Sequence, residues 1–339
     1  MPFQYDLGDL VNRRDTVVAL LALGAASGPL ASLAQQQATV PRIGVLISET
    51  PSVEAIRVEA LRTGLRDRGY VEGRNVAIEL RSADGVYARL PGLAADLVRL
   101  KVDVLVAFGI KALAAAEGAT KTIPIVIPAT SSDPVAMGLV ASMARPGGNI
   151  TGATAFGPEV MAKRLELLKE VVPRISRVAV LVNPSNPSFG PTFQQMDVTA
   201  KSLKLSLQRF EVRAPDKFSE VLTAMAKERF DAIVVHGDTM FRGDNARAIA
   251  KLAARQSLPA VGGEDFAEAG GILSYGGTSA EQYRRAAYFV DRILRGAKPG
   301  DLPLEQPTKF ELVINLKAAK ALDIVIPQSI LLRADRVIE

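Results

Sequence analysis

Clusters of polar residues follow apolar runs along this chain. They are Ser48, Glu49 and Thr50; Thr130, Ser131 and Asp133; Asn183, Ser185 and Asn186; Gly237, Asp238 and Thr239; and Glu264 with Asp265. These groups suit holding a small molecule better than breaking a bond. Hydroxyls, and free backbone N–H groups at helix starts such as that after Gly109, bind a carboxylate or a similar anion. Asp238 or Asp133 can pair with an ammonium. Phe108, Phe241 and Tyr275 can supply apolar walls. Each position also has a plainer use. Asp133 before Pro134 is a good helix cap. Asn183-Pro184 and Asn186-Pro187 are turn formers. Glu264-Asp265 can open a short helix over residues 266–269.

Catalytic equipment is scarce. There is no cysteine, which excludes disulfides, thiolate nucleophiles and Cys-held metals. There is one histidine, His236, at the end of an apolar run, where a core role is the ordinary one. The chain has no GxGxxG after its first strand, no GxxxxGK[ST], no HExxH and no GxSxG. A binding protein without cofactor or metal is therefore expected, not an enzyme.

The elements that must position these groups alternate. Strands are expected at 42–47, 75–83, 102–109, 123–129, 177–183, 205–211 and 230–237. Helices are expected at 53–69, 90–100, 110–119, 133–144, 159–172, 190–204, 218–228 and 245–256. Residues 150–156 read as a strand or crossing segment. Short strands at 259–263 and 271–276, a helix over 280–294, a strand over 309–315 and a helix start at 316–321 complete the pattern. Aromatics are only 5% and Trp is absent, so the core is built from Ala, Val, Leu and Ile. That suits parallel strands covered on both faces. The openings RIGVLI and RVAVLV are alike, consistent with two doubly wound α/β halves. In such sheets ligands sit outside the carboxyl ends of the strands, which is where the polar clusters fall.

The amino terminus reads as an address. Arg13-Arg14 precede an apolar stretch from Thr16 to Ala26, and Ser32 and Ala34 stand at the −3 and −1 positions of a cleavage site. Residues 1–34 are expected to be a cleavable Sec or Tat signal peptide, and 35–41 a disordered leader. The missing cysteine excludes a lipid anchor. The net charge of +5 comes without Lys/Arg runs interleaved with aromatics, so no nucleic-acid partner is expected.

Several long stretches carry a family resemblance: GLRDRGYVEGRNVAIEL (64–80), ARLPGLAADLVRLKVDVLVA (88–107), DPVAMGLVASMARPGGNITG (133–152), VAVLVNPSNP (178–187), EAGGILSYG (268–276) and residues 283–327. Together they resemble the ABC transporter substrate-binding proteins related to the tryptophan-binding type. The resemblance implies a type 1 periplasmic-binding fold of two lobes, 42–149 with 278–303 and 150–274 with 308–339. Three hinge crossings would join them, near 148–156, 273–277 and 304–310. It also implies a periplasmic monomer that captures a small polar or amino-acid-like solute, aromatic ones included, and delivers it to ABC permease subunits. The alternative is a ligand sensor acting through a separate membrane partner. The loops ISETPSV, SSDP and HGDTMF depart from the family's usual wording at the ligand end.

Overall fold

The computed structural model describes Met1 and residues 40–130, 133–154, 157–186, 188–277, 279–307 and 309–339. All of the expected signal segment after Met1, Ser131 and parts of the first and third crossings lie outside the described residues. Pro41 already belongs to the fold, because its carbonyl accepts a hydrogen bond from the Ala77 N–H.

In the first half, β1 (Arg42–Ile47), α1 (Pro51–Arg66), β2 (Ala77–Ser82), α2 (Leu90–Arg99), β3 (Val104–Phe108), α3 (Ile110–Ala119), β4 (Ile125–Ile127) and β5 (Ile150–Gly152) follow in order. Their strands form an all-parallel sheet ordered β2-β1-β3-β4-β5. The strands are apolar because both faces are covered. Ile43, Val45 and Ile47 point to one side, with Val58, Leu61 and Leu65 of α1. Leu46, Leu105 and Ala107 point to the other, against Leu97 of α2 and Leu113 of α3. β5 pairs with β4, so the first sheet extends to Gly152, slightly past the boundary expected at 149.

The second half contains α4 (Gly157–Val171), β6 (Arg177–Val182), α5 (Phe189–Ser202), β7 (Ser206–Glu211), α6 (Phe218–Lys227), β8 (Ala232–Val235), α7 (Asp244–Arg255), β9 (Ala260–Gly262) and β10 (Leu273–Gly277). The chain then returns to the first sheet as α8 (Ser279–Leu294). It comes back as β11 (Phe310–Asn315), α9 (Leu316–Lys320), α10 (Gln328–Leu331) and β12 (Arg336–Ile338). The second sheet is ordered β12-β11-β10-β9-β8-β6-β7. β11 is antiparallel to β10. The reason is entry direction: β10 runs out of its sheet toward the first lobe, and β11 comes back in from that lobe. β12, an edge strand with alternating signals too short to read, was not foreseen.

α8 lies along α1 and completes the first core through Tyr283, Ala286, Ala287, Phe289 and Val290. The approach is close because Gly64 has no side chain; a methyl there would lie 2.2 Å from the Arg284 carbonyl oxygen. That contact sets the buried stripe of α1 at Glu54, Arg57, Val58, Leu61, Gly64 and Leu65. Ile56, apolar but off that stripe, is 77% exposed.

The helix expected over 133–144 is absent. Asp133 does cap, its Oδ1 accepting from the N–H groups of Val135 and Ala136 at 2.9 and 3.2 Å. The turn closes after one revolution, because Gly138 adopts φ +70° and the Leu139 N–H donates back to the Pro134 carbonyl. Residues 264–270 likewise form turns, so Glu264 and Asp265 do not open a helix.

Among the described residues the chain passes between the sheets three times: after β5, after β10 and before β11. The first and third passages pair with each other. Glu305 donates its N–H to the Gly152 carbonyl and accepts from the Thr154 N–H, at 2.8 and 2.9 Å.

Candidate functional site

A cavity of about 140 Å³ lies where the carboxyl ends of both sheets face each other. From the first lobe it is lined by Ser48 after β1, Gly109, Ile110 and Lys111 at the start of α3, Ala129 and Thr130 after β4, and Gln282 and Tyr283 of α8. From the second lobe come Asn186 and Thr192; Val235, His236, Gly237, Asp238, Thr239, Phe241 and Arg242; Gly263, Glu264 and Asp265; and Gly276 and Gly277. The amino-terminal half of α4 adds Gly157, Val160, Met161 and Arg164.

Ten residues anticipated from strand ends thus meet here: Ser48, Gly109, Thr130, Asn186, Gly237, Asp238, Thr239, Phe241, Glu264 and Asp265. Others stand behind or away from the wall. Phe108 is buried beneath it, edge-on to Tyr283 at 4.5 Å between ring centroids. Thr50 precedes α1, its hydroxyl 2.9 Å from that of Ser52. Asp133 is exposed on its turn. Tyr275 stacks on Phe310, and Asn183 is buried behind Asp238.

Asp238 organises one wall. Its Oδ1 accepts from Asn183 Nδ2 at 3.3 Å and from the Met240 N–H at 2.9 Å; its Oδ2 accepts from Asn186 Nδ2 at 2.7 Å. Asn186 Oδ1 in turn accepts from the N–H and hydroxyl of Ser188. One carboxylate therefore fastens the loop after β6 to the loop after β8. Facing it from the first lobe is Glu49, whose Oε1 accepts from the Tyr87 hydroxyl at 2.7 Å. Burial holds the Glu49 carboxyl above its ordinary pKa, the Tyr87 bond opposes this, and the Asp238 charge adds to it. The lobes also touch through Arg57. Its Nη1 lies 3.3 Å from Glu54 within α1, and its Nη2 lies 3.8 Å from Glu264 of the other lobe.

Arg164 is the group that spacing alone did not single out. It is 5% exposed. Its Nε donates to the Tyr275 carbonyl at 2.7 Å, and Nη1 to Met161 Sδ at 3.0 Å and the Val235 carbonyl at 3.4 Å. Among the described residues no carboxylate pairs with it; Asp265 acts on it through space. Burial pulls its pKa down to about 10, so it stays charged at neutral pH. The signal was present in Gly157, Val160, Met161 and Arg164, which share a helix face at i, i+3, i+4 and i+7. A cation on an otherwise apolar stripe was the clue.

His236 lies beside it. Burial drives its pKa down to about 4, Asp238 opposing and Arg164 adding. Its Nδ1 has no partner among the described residues. A base with a depressed folded pKa contributes stability that is complete above the unfolded value of 6.5 and is lost as pH falls toward 4. His236→Gln should therefore flatten the acid limb of a melting-temperature profile between those values. A profile as steep as that of the native protein would show that other groups govern this limb. No group of three His, Cys, Asp or Glu among the described residues is arranged to hold a metal ion.

Two largely parallel-sheet lobes, three connections among the described residues and a polar crevice at facing strand ends define the type 1 periplasmic-binding fold. The family model for ABC transporter substrate binding proteins matches residues 42–338, and the chain belongs to that family. A tyrosine-binding protein of Clostridioides difficile is 26% identical over 276 residues, covering 81% of this chain and 78% of its own. The solved structure of an ABC domain in complex with L-Trp from Streptococcus pneumoniae aligns with a TM-score of 0.82 at 25% identity, covering 88% of this chain and all of that one. A conserved domain protein of Vibrio cholerae aligns with the same TM-score and coverage at 28% identity.

Proposed function

We propose that this protein is the periplasmic solute-binding component of an ABC importer. An amino-acid-like solute, aromatic ones included, enters the crevice and the lobes close on it by rotation about the three crossings. The closed form is then presented to the membrane permease. The observation that carries this reading is the cavity itself, lined from both lobes by hydroxyl, amide and charged groups at strand ends. The tyrosine-binding relative and the L-Trp complex support the solute class. No helix among the described residues is long and apolar enough to cross a membrane. The protein would act as a monomer, exported by the arginine-headed segment at its amino terminus.

The test is thermal. A ligand that binds only the native state raises stability by about 2.7 kcal/mol at a hundredfold excess over Kd. Mature protein should therefore melt several degrees higher with at least one L-amino acid, and an aromatic one is expected to rank first. A melting temperature left unchanged by all the amino acids and by small carboxylates would refute this solute class.

A further inference from the structure

Two donors that line the cavity make no hydrogen bond among the described residues. One is the outer nitrogen of Arg164, on α4 of the second lobe. The other is Nε2 of Gln282, on α8 of the first lobe, buried and without a partner among the described residues. They flank the same short stretch of chain. A methyl added at Gly276 would sit 3.4 Å from Arg164 Nη2, and one added at Gly277 would sit 3.0 Å from Gln282 Nε2. A methyl at Gly263 would also sit 3.4 Å from Nη2, so the approach to that nitrogen is walled by glycine on two sides.

The remaining bonds of Arg164 fix its plane. Nε and Nη1 are held by the carbonyls of Tyr275 on β10 and Val235 on β8, the two strands that flank β9. Those carbonyls are neutral, and Asp265 offsets the positive charge only through space. A buried cation with no carboxylate paired to it is costly, and an anion reaching it lowers that cost. The other cations of the cavity are differently placed. Lys111 sits over the Tyr87 ring at 3.5 Å, near Asp238 and Glu49, and Arg242 is already engaged.

We propose that Arg164 and Gln282 form the carboxylate anchor of the solute site, one donor from each lobe. The solute then carries a carboxylate, and that single group bridges the lobes and couples binding to closure. The acidic groups Glu264 and Asp265 on the same cavity wall suit an ammonium at the other end of a zwitterion. This deepens the solute-binding reading above and rests on it.

The experiment compares each L-amino acid that binds with its carboxamide and its decarboxylated amine, titrated calorimetrically into wild-type protein. Tyrosine, tyrosinamide and tyramine form one such set, and tryptophan, tryptophanamide and tryptamine another. Losing the anion should weaken binding by about 100-fold or more, as for truncation of a desolvated charge pair. Amide or amine binding within about threefold of the parent acid would overturn the anchor while leaving the importer reading intact. Binding confined to sugars or simple cations would do the same. Failure of the whole panel would instead sink the amino-acid reading and the anchor with it.

Variants supply an independent arm. Arg164→Met should abolish carboxylate binding, and Arg164→Lys should restore part of it, because charge returns without the planar fork. Arg164 also supports two strands, so its loss can harm folding. Gln282→Leu avoids that difficulty. It removes an unpartnered buried donor, so the ligand-free protein should melt at the same or a higher temperature, while carboxylate affinity falls by about tenfold. Unchanged affinity in Gln282→Leu would remove it from the anchor and overturn the bridging of the two lobes.

Discussion

Asp238→Ala should cost about 3–5 kcal/mol of stability, the largest loss expected from any single site described above. The substitution strands Asn183 Nδ2 and the Met240 N–H, and leaves Asn186 Nδ2 only its 3.4 Å bond to the Gly237 carbonyl. Asn183 and Met240 are buried, so their donors keep the desolvation penalty and lose its compensation. The loops after β6 and β8 are then no longer fastened, and the cavity wall from Asn186 to Phe241 loosens with them. Solute affinity should fall together with the melting temperature. Asp238→Asn should be intermediate: an oxygen can still face Met240, but the new amide then turns two N–H donors toward Asn186. Denaturant titration of the two variants decides the matter. If Asp238→Ala lost less than about 1 kcal/mol, an ordinary surface-loop value, Asp238 would not be the fastener.

Gly152→Ala should destabilise the first lobe by about 3 kcal/mol or more, lowering the melting temperature by roughly 5–10 °C. Gly152 has φ +132°, a backbone region that side chains oppose. A methyl group there would lie 2.0 Å from the Ile127 carbonyl oxygen and 2.6 Å from the Ile127 nitrogen. These atoms belong to the β4 backbone and cannot step aside without unpairing β5. The Gly152 carbonyl also accepts from Glu305, the bond that joins two crossings. The damage should therefore reach lobe closure as well as stability, visible as a smaller ligand-induced change in radius of gyration by small-angle scattering. A fully stable Gly152→Ala would mean that this passage has room to relax and does not constrain the hinge.

The two effects differ in kind. Asp238 acts through satisfied hydrogen bonds, so conservative replacement recovers part of the loss. Gly152 acts through excluded volume, so every side chain fails and larger ones fail harder. Testing both in one background would separate a wall of the cavity from the joint that moves it.

Much of this architecture was legible in the chain. Short β-branched apolar runs such as RIGVLI and RVAVLV, each followed by a helical pattern, fit parallel strands covered on both faces, so β1 and β6 were legible locally. The carboxyl-end rule then placed Ser48, Gly109, Asn186, Asp238 and Glu264 near one crevice without any motif, because strand direction sets where loops emerge. Local signals also misled where a competing turn won. Asp133-Pro134 announced a helix, but Gly138 closed it after one turn.

Tertiary structure alone decided which polar groups keep an unpaired donor among the described residues. Arg164 reads in sequence as one more cation on a helix, and Gln282 as one more polar residue at a helix start. Their distinction lies in which described residues reach them once the chain has folded, and whether a carboxylate pairs with Arg164 depends on every neighbour at once. Local periodicity determines which face of an element is buried; only the packed lobes determine whether a polar group on that face has been satisfied.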